Sequence, residues 1–251
     1  MPSGILAHSS YLIAHSGRGY LLDCGEGASS SMVRQRVDTS TIETIFISHT
    51  HSDHILGLPM FLQMEYLKNR TASLRVHVPA EFTGLLQSLL EGVYLFPGKL
   101  RFEFAIVPIE EGFVFDDGYV RISAKPNSHL RAAVNIELLS TGKYSNRMQC
   151  FSFEVAADGR RLLYSGDIGT LDDIVEEMVG VDLLVVEGVH CNMEQLPRLL
   201  IESGVGRCVL THLPSTSDRA GIRQMFQKAG FDELDFAAEG FSVDMQSLLS
   251  R

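Results

Sequence analysis

The sequence predicts an α/β protein with αββα layering, two sheets with helices on their outer faces. Three observations predict it. β-type runs come first, each half of the chain then passes into βα units, and from Arg161 onward strand and helix patterns alternate strictly. No repeat, low-complexity stretch or Pro/Ser linker interrupts the pattern, so residues 1–251 are taken as a single domain.

The elements follow in order. Residues 11–14 and 20–23 read as strands around the Ser16-Gly17-Arg18-Gly19 turn, a hairpin signal. Residues 29–37 read as a helix, and 44–48 as a short apolar strand. Helical spacing of apolar residues covers 56–67, a strand 74–78 and a helix 80–90. From 99 to 155 the pattern is mostly period-2 and β-rich, with one strand over 120–125. The final stretch alternates strands at 161–164, 183–186 and 207–210 with helices at 171–178, 193–203 and 219–228.

Bulk properties exclude several classes. No apolar run approaches the roughly 20 residues of a membrane span. Met1-Pro2-Ser3-Gly4 has no basic start, and residues 5–14 are broken by His8, Ser9 and Ser10, which is unlike a signal peptide. The default address is the cytoplasm. Cys24, Cys150, Cys191 and Cys208 are widely spaced with no C-x-x-C pair, and read as reduced, mostly buried thiols. A net charge of −10 argues against a generally basic nucleic-acid surface. Bound divalent cations would cancel part of it.

The sharpest signal is His49-Thr50-His51-Ser52-Asp53-His54, directly after a strand. In extended backbone His49 and His51 point the same way, because side chains alternate with period 2. The turn into the next helix then swings Asp53 and His54 toward a second nearby point. Imidazole nitrogens and carboxylate oxygens are what zinc and similar metals take as ligands. Further donors stand at strand ends: His129, Asp167 in Tyr164-Ser165-Gly166-Asp167, and His212 after Val209-Leu210-Thr211. Loops at strand ends are where sites are usually assembled.

Together these motifs resemble the metallo-β-lactamase superfamily, in the right order and over nearly the whole chain. The resemblance implies the metallo-β-lactamase fold and two divalent ions, zinc by default, with manganese or iron as alternatives. It implies that His49, His51 and His129 hold one ion, that Asp53, His54 and His212 hold the other, and that Asp167 bridges. Asp167 stands where the commonest true lactamases carry Cys, which argues against antibiotic hydrolysis. A finer resemblance is to the ribonuclease Z group and its phosphodiesterase relatives. Leu22-Asp23-Cys24-Gly25-Glu26-Gly27 resembles that group's first motif, whose Asp orients the histidine loop. Glu187 fits the glutamate set beside the last metal-binding His, and Leu210-Thr211-His212 fits the final motif. The Arg and Tyr that often follow that motif are absent after His212. So is the long basic, Gly/Pro-rich arm that grips tRNA.

The implied activity is hydrolysis of a phosphodiester, by a phosphodiesterase or small nuclease using a two-metal bridging hydroxide. Asp53 would align or deprotonate the nucleophile. Glu187 and His190 would protonate the leaving oxygen or brace His212. Small phosphodiesters or short nucleic acids, rather than long RNA, are the expected substrates. Alternatives are a thioester or ester hydrolase of glyoxalase II type, and a non-hydrolytic metal-binding accessory protein. Arg131, Lys143 and Arg147 are candidate phosphate contacts, with ordinary exposed charge as the default for each. The resemblance also places a strand before Ser9-Ser10-Tyr11-Leu12, where only eight residues stand and residues 5–7 offer a stub. A strand lacking that neighbour has an adhesive edge, covered by another segment or by a second subunit in a two-fold homodimer. Otherwise the chain begins late for this fold.

Overall fold

The computed structural model describes residues 7–248. Ile5 and Leu6 of the expected stub lie outside the described residues. The chain divides into two compact units, Met1–Glu110 and Glu111–Arg251.

The first unit opens with an antiparallel hairpin, β1 (Tyr11–His15) and β2 (Arg18–Leu22), with Tyr11 opposite Leu22 and His15 opposite Arg18. Ser16 and Gly17 form its two-residue turn with φ of 50° and 77°, the positive values such turns require. Then follow α1 (Ala28–Arg34), β3 (Ile42–Phe46), α2 (Ser52–Ile55), α3 (Leu58–Leu67), β4 (Leu74–Pro79), α4 (Thr83–Gly92) and β5 (Phe104–Ile109). The sheet order is β1-β2-β3-β4-β5, parallel from β2 onward, with β1 at an edge among the described residues. Leu21, Ile45, Val76 and Val78 pack with Met32, Leu58, Phe61, Leu62 and Leu86 of the helices. Tyr20, Leu22 and Phe46, on alternate positions, are also buried, so these strands read as near-continuous apolar runs. Buried Arg70 ties the turn after α3 to the start of β3. It pairs with Glu65 at 3.0 Å and donates to the Ile42 carbonyl at 2.6 Å.

Buried His77 on β4 stacks on Phe46, ring centroids 4.8 Å apart. Burial first, and then the Arg75 charge, lower its pKa from 6.5 to about 4. The unfolded chain therefore binds the proton more readily between those values. Stability from this group is complete above pH 6.5 and falls as pH drops toward 4, by about 3 kcal/mol in all. Urea unfolding between pH 7 and 4.5 should show a steeper loss for the wild type than for His77→Phe. Parallel curves for the two proteins would refute the assignment.

The second unit contains β6 (Val114–Asp116), β7 (Arg121–Pro126), α5 (Ala133–Ser140), β8 (Phe151–Ala157), β9 (Arg160–Tyr164), β10 (Leu183–Glu187), α6 (Leu196–Glu202), β11 (Arg207–Thr211), α7 (Arg219–Ala229) and β12 (Leu234–Phe236). Its sheet order is β12-β11-β10-β9-β8-β7-β6. β6 to β9 form an antiparallel meander, and β9 to β12 are parallel. Leu184, Val186, Cys208 and Leu210 pack with Leu196, Leu200 and Phe226 of α6 and α7.

Three expectations need correction. Residues 171–178 form no α-helix. A 3₁₀ turn spans Leu171–Asp173, and Ile174 leaves helical geometry at φ −131°. The Asp173 carboxylate accepts from the amides of Gly169 and Thr170 and from Ser128 Oγ, which holds the chain in a turn. Leu171, Ile174 and Met178 still bury their side chains, which explains the helical spacing. The β-rich stretch 99–155 contains a helix, α5, whose apolar residues Val134, Ile136 and Leu138 alternate like a strand's. The helix expected at 193–203 starts at Leu196, with Pro197 in its first turn, as proline's fixed φ favours. Among the described residues, no helix is long and apolar enough to cross a membrane.

Candidate metal centre

In the first unit the ligand loop leaves β3 and enters α2. Asp23, just past β2, is fully buried and sits in the left-handed region at φ 58°. One carboxylate oxygen accepts the Ser48 amide at 2.7 Å. The other accepts the Ser48 hydroxyl at 2.8 Å and lies 2.7 Å from His54 Nδ1. Ser48 Oγ in turn lies 3.0 Å from His49 Nδ1. With the serine proton directed to Asp23, both imidazoles carry hydrogen on Nδ1 and keep Nε2 as the electron-pair donor. The sequence resemblance assigned Asp23 this orienting role, and the hydrogen bonds agree with it.

The loop bearing Asp23 is bonded to the ligand helix through main chain. The Cys24 amide donates to the His54 carbonyl at 2.8 Å and the Gly57 amide to the Cys24 carbonyl at 2.9 Å. A Cβ on Gly25 would lie 2.1 Å from the Asp53 carbonyl oxygen, and one on Gly57 only 1.9 Å from that of Gly25. Glycine is required at both positions because backbone meets backbone. His49, His51 and His54 cluster as a result, with ring centroids 4.7 Å and 4.1 Å from His49. His54 Nε2 is 4.0 Å from Asp53 Oδ2.

In the second unit Asp167 follows β9, and its Oδ2 lies 3.7 Å from His129 Nε2 and 3.9 Å from His212 Nε2. His212 is in the left-handed region at φ 54°, a strained conformation of the kind found at functional sites. The His129 loop is fixed from two sides. Asn127 Oδ1 accepts the His129 amide at 3.1 Å, and Ser128 Oγ donates to Asp173 at 2.9 Å. Asp173 thus clamps the loop of His129 to the loop of Asp167. Sequence reading missed it, since its partner Ser128 lies 45 residues away.

Glu187 at the end of β10 is fully buried. Its carboxylate accepts the amides of Val189 and His190, at 2.5 Å and 2.9 Å, and lies 2.9 Å from His190 Nδ1. Sequence reading offers Glu187 and His190 two roles, protonating the leaving oxygen or bracing His212; the contacts seen here pair Glu187 with His190. His190 is 40% exposed and its ring lies 4.9 Å from that of His129.

These donors fit divalent metal. Contacts of 3.7–4.0 Å between imidazole nitrogen and carboxylate oxygen are too long for hydrogen bonds. Two ligands on a tetrahedral ion with bonds of 2.0–2.1 Å would stand roughly 3.4 Å apart, close to these spacings. Asp23→Asn removes the charge behind His54 and is expected to lower metal affinity about 10–100-fold without unfolding the protein. Competition with a chromophoric chelator measures this, and unchanged affinity would refute the role of Asp23.

Comparison with known proteins gives three kinds of likeness. The Beta-lactamase superfamily domain matches residues 18–213. Ribonuclease Z of Methanosarcina acetivorans is 26% identical over 82% of each chain. Among solved structures, the metallo-beta-lactamase fold protein YhfI from Bacillus subtilis superposes with a TM-score of 0.73 at 20% identity, covering 96% of this chain and 92% of its own. The short form of human tRNase Z superposes at 0.71, also at 20% identity, with 97% and 95% covered. Both superpositions show the metallo-β-lactamase fold.

Proposed function

The chain belongs to the Beta-lactamase superfamily domain family, and on that premise we propose that it is a metal-dependent phosphodiester hydrolase with two divalent ions, zinc by default. His49, His51 and His129 would hold one ion and Asp53, His54 and His212 the other, with Asp167 shared. The observation carrying this reading is Asp167, whose Oδ2 stands within 4 Å of both His129 and His212. The likeness to ribonuclease Z supports the phosphodiester over other esters. Bound ions would supply a nucleophile at neutral pH and neutralise charge on the phosphoryl oxygens.

The chain's own groups then divide the proton transfers. Asp53, partly exposed, accepts the proton of the attacking water. His190 pairs Nδ1 with Glu187, and its Nε2 is the group that would hand a proton to the leaving oxygen. Substrates are small phosphodiesters or short nucleic acids, in keeping with the net charge of −10. Free, buried cysteines support a reducing, cytoplasmic address. Among the described residues β1 is an edge strand, which supports two-fold pairing of copies, and light scattering at several concentrations measures it.

Elemental analysis of protein purified without chelator, beside turnover of bis(p-nitrophenyl) phosphate and a thioester panel, tests the reading. Two ions per chain and phosphodiester cleavage are expected. Full activity without metal, or cleavage of thioesters alone, would overturn it. Tight, strongly salt-dependent affinity for tRNA precursors would overturn the restriction to small substrates.

A further inference from the structure

Two hydrogen-bonded struts join the loop of His129 to the loop of Asp167. The first is buried. Asn127 Nδ2 donates to Ser152 Oγ at 3.2 Å, and Ser152 Oγ donates to the Ser165 carbonyl at 2.6 Å. Asn127, Ser152 and Ser165 are at most 6% exposed, and Asn127 Oδ1 accepts the His129 amide.

The second strut is centred on Asp173. Its Oδ2 accepts the Ser128 hydroxyl at 2.9 Å and the amides of Gly169 and Thr170 at 2.8 Å and 3.1 Å. Ser128 immediately precedes His129, and Gly169 follows Asp167 at the second position. The loops are also in direct contact. A Cβ on Gly169 would lie 2.2 Å from Ser128 Oγ and 3.1 Å from the Ser128 carbonyl carbon. Three donors on one oxygen thus hold the loops at one separation, and at that separation His129 Nε2 stands 3.7 Å from Asp167 Oδ2.

Ions differ in the separation they require. Two ligands of a tetrahedral zinc ion, with bonds of about 2.0–2.1 Å, stand roughly 3.4 Å apart. Adjacent ligands of an octahedral ion with bonds of about that length stand roughly 2.9 Å apart. From 3.7 Å, the pair must close by about 0.3 Å for the first and about 0.8 Å for the second. Struts that resist closure penalise the octahedral ion more.

We propose that Asp173 is a positioning residue that selects the ion: by fixing the separation of His129 and Asp167 it favours a tetrahedral ion such as zinc over an octahedral one such as manganese. This rests on the metal-dependent reading above and gives its zinc a physical cause. Asp173 and Ser128 are not among the proposed ligands, so breaking their contact removes no donor atom from the ion.

The test is competition of zinc and of manganese(II) against a chromophoric chelator, in the wild type, Asp173→Ala, Ser128→Ala and Ser128→Thr. Ser128→Ala deletes one hydroxyl and leaves the bonds of Asp173 to Gly169 and Thr170, so the fold survives even where Asp173→Ala loses it. In Ser128→Ala zinc affinity should fall about tenfold while manganese affinity stays within about threefold of wild type. Gly169→Ala, which pushes Ser128 away, should act in the same direction, and Ser128→Thr, which keeps the hydroxyl, should restore the preference. In cobalt(II)-substituted protein the intense visible bands of tetrahedral cobalt should weaken in Ser128→Ala, a change that general destabilisation does not produce. Zinc and manganese affinities that are unchanged or fall by one common factor, or an unaltered cobalt spectrum, overturn selection by Asp173 and leave the metal-dependent reading standing. A wild type that prefers manganese does the same. A wild type that binds neither ion ends both readings.

Discussion

Asp167→Ala should abolish stable metal loading and reduce turnover by at least about a thousandfold. Its carboxylate is buried, and one oxygen faces imidazoles from two separate loops. Removing it takes away the negative charge that would offset the two proposed cations, and the only group proposed to touch both. Elemental analysis should find well under one ion per chain, while far-UV circular dichroism stays native because the loop is still clamped by Asp173. Retention of two ions, or of a tenth of wild-type turnover, would remove Asp167 from its shared position.

Asp53→Ala should also cost orders of magnitude in turnover, but with a different signature. Asp53 sits in the first turn of α2, and its side chain is about one-quarter exposed, unlike buried His54 beside it. The ion proposed for Asp53, His54 and His212 should bind more weakly, and saturating metal should restore occupancy without restoring rate. Wild-type turnover should rise toward neutral or mildly alkaline pH, and the variant should lose that dependence. Wild-type rate in metal-saturated Asp53→Ala would show that the carboxylate neither aligns nor deprotonates the nucleophile.

The site was legible in the sequence wherever chemistry and spacing coincide. Three imidazoles and a carboxylate in six residues have few explanations besides metal, and strand patterns before His129, Asp167 and His212 marked them as loop residues. Their supports were harder to see. Asp173 works by accepting from a hydroxyl 45 residues distant, and no local pattern encodes such a contact. The partner of Glu187 depends on how the turn after β10 folds back, which places two amides and the His190 ring on one carboxylate. α5 was read as β-type because Val134, Ile136 and Leu138 alternate, and alternation predicts burial on one face of a sheet. In the structure nothing buries them, so the pattern carried no information about packing. β12 is only three residues long and gave too short a run to recognise.

The glycine contact beneath the histidine loop bears on when the site acquires its shape. Because Cys24, His54 and Gly57 are joined through amides and carbonyls, the separation of Asp23 from His54 is written into the main chain rather than into rotamers. Metal capture by this half of the proposed ligand set would then need no rearrangement of the main chain, the ordering entropy being spent in folding. The apoprotein should accordingly take up metal in a single fast phase, with no accompanying change in the amide exchange of residues 22–25 and 54–57.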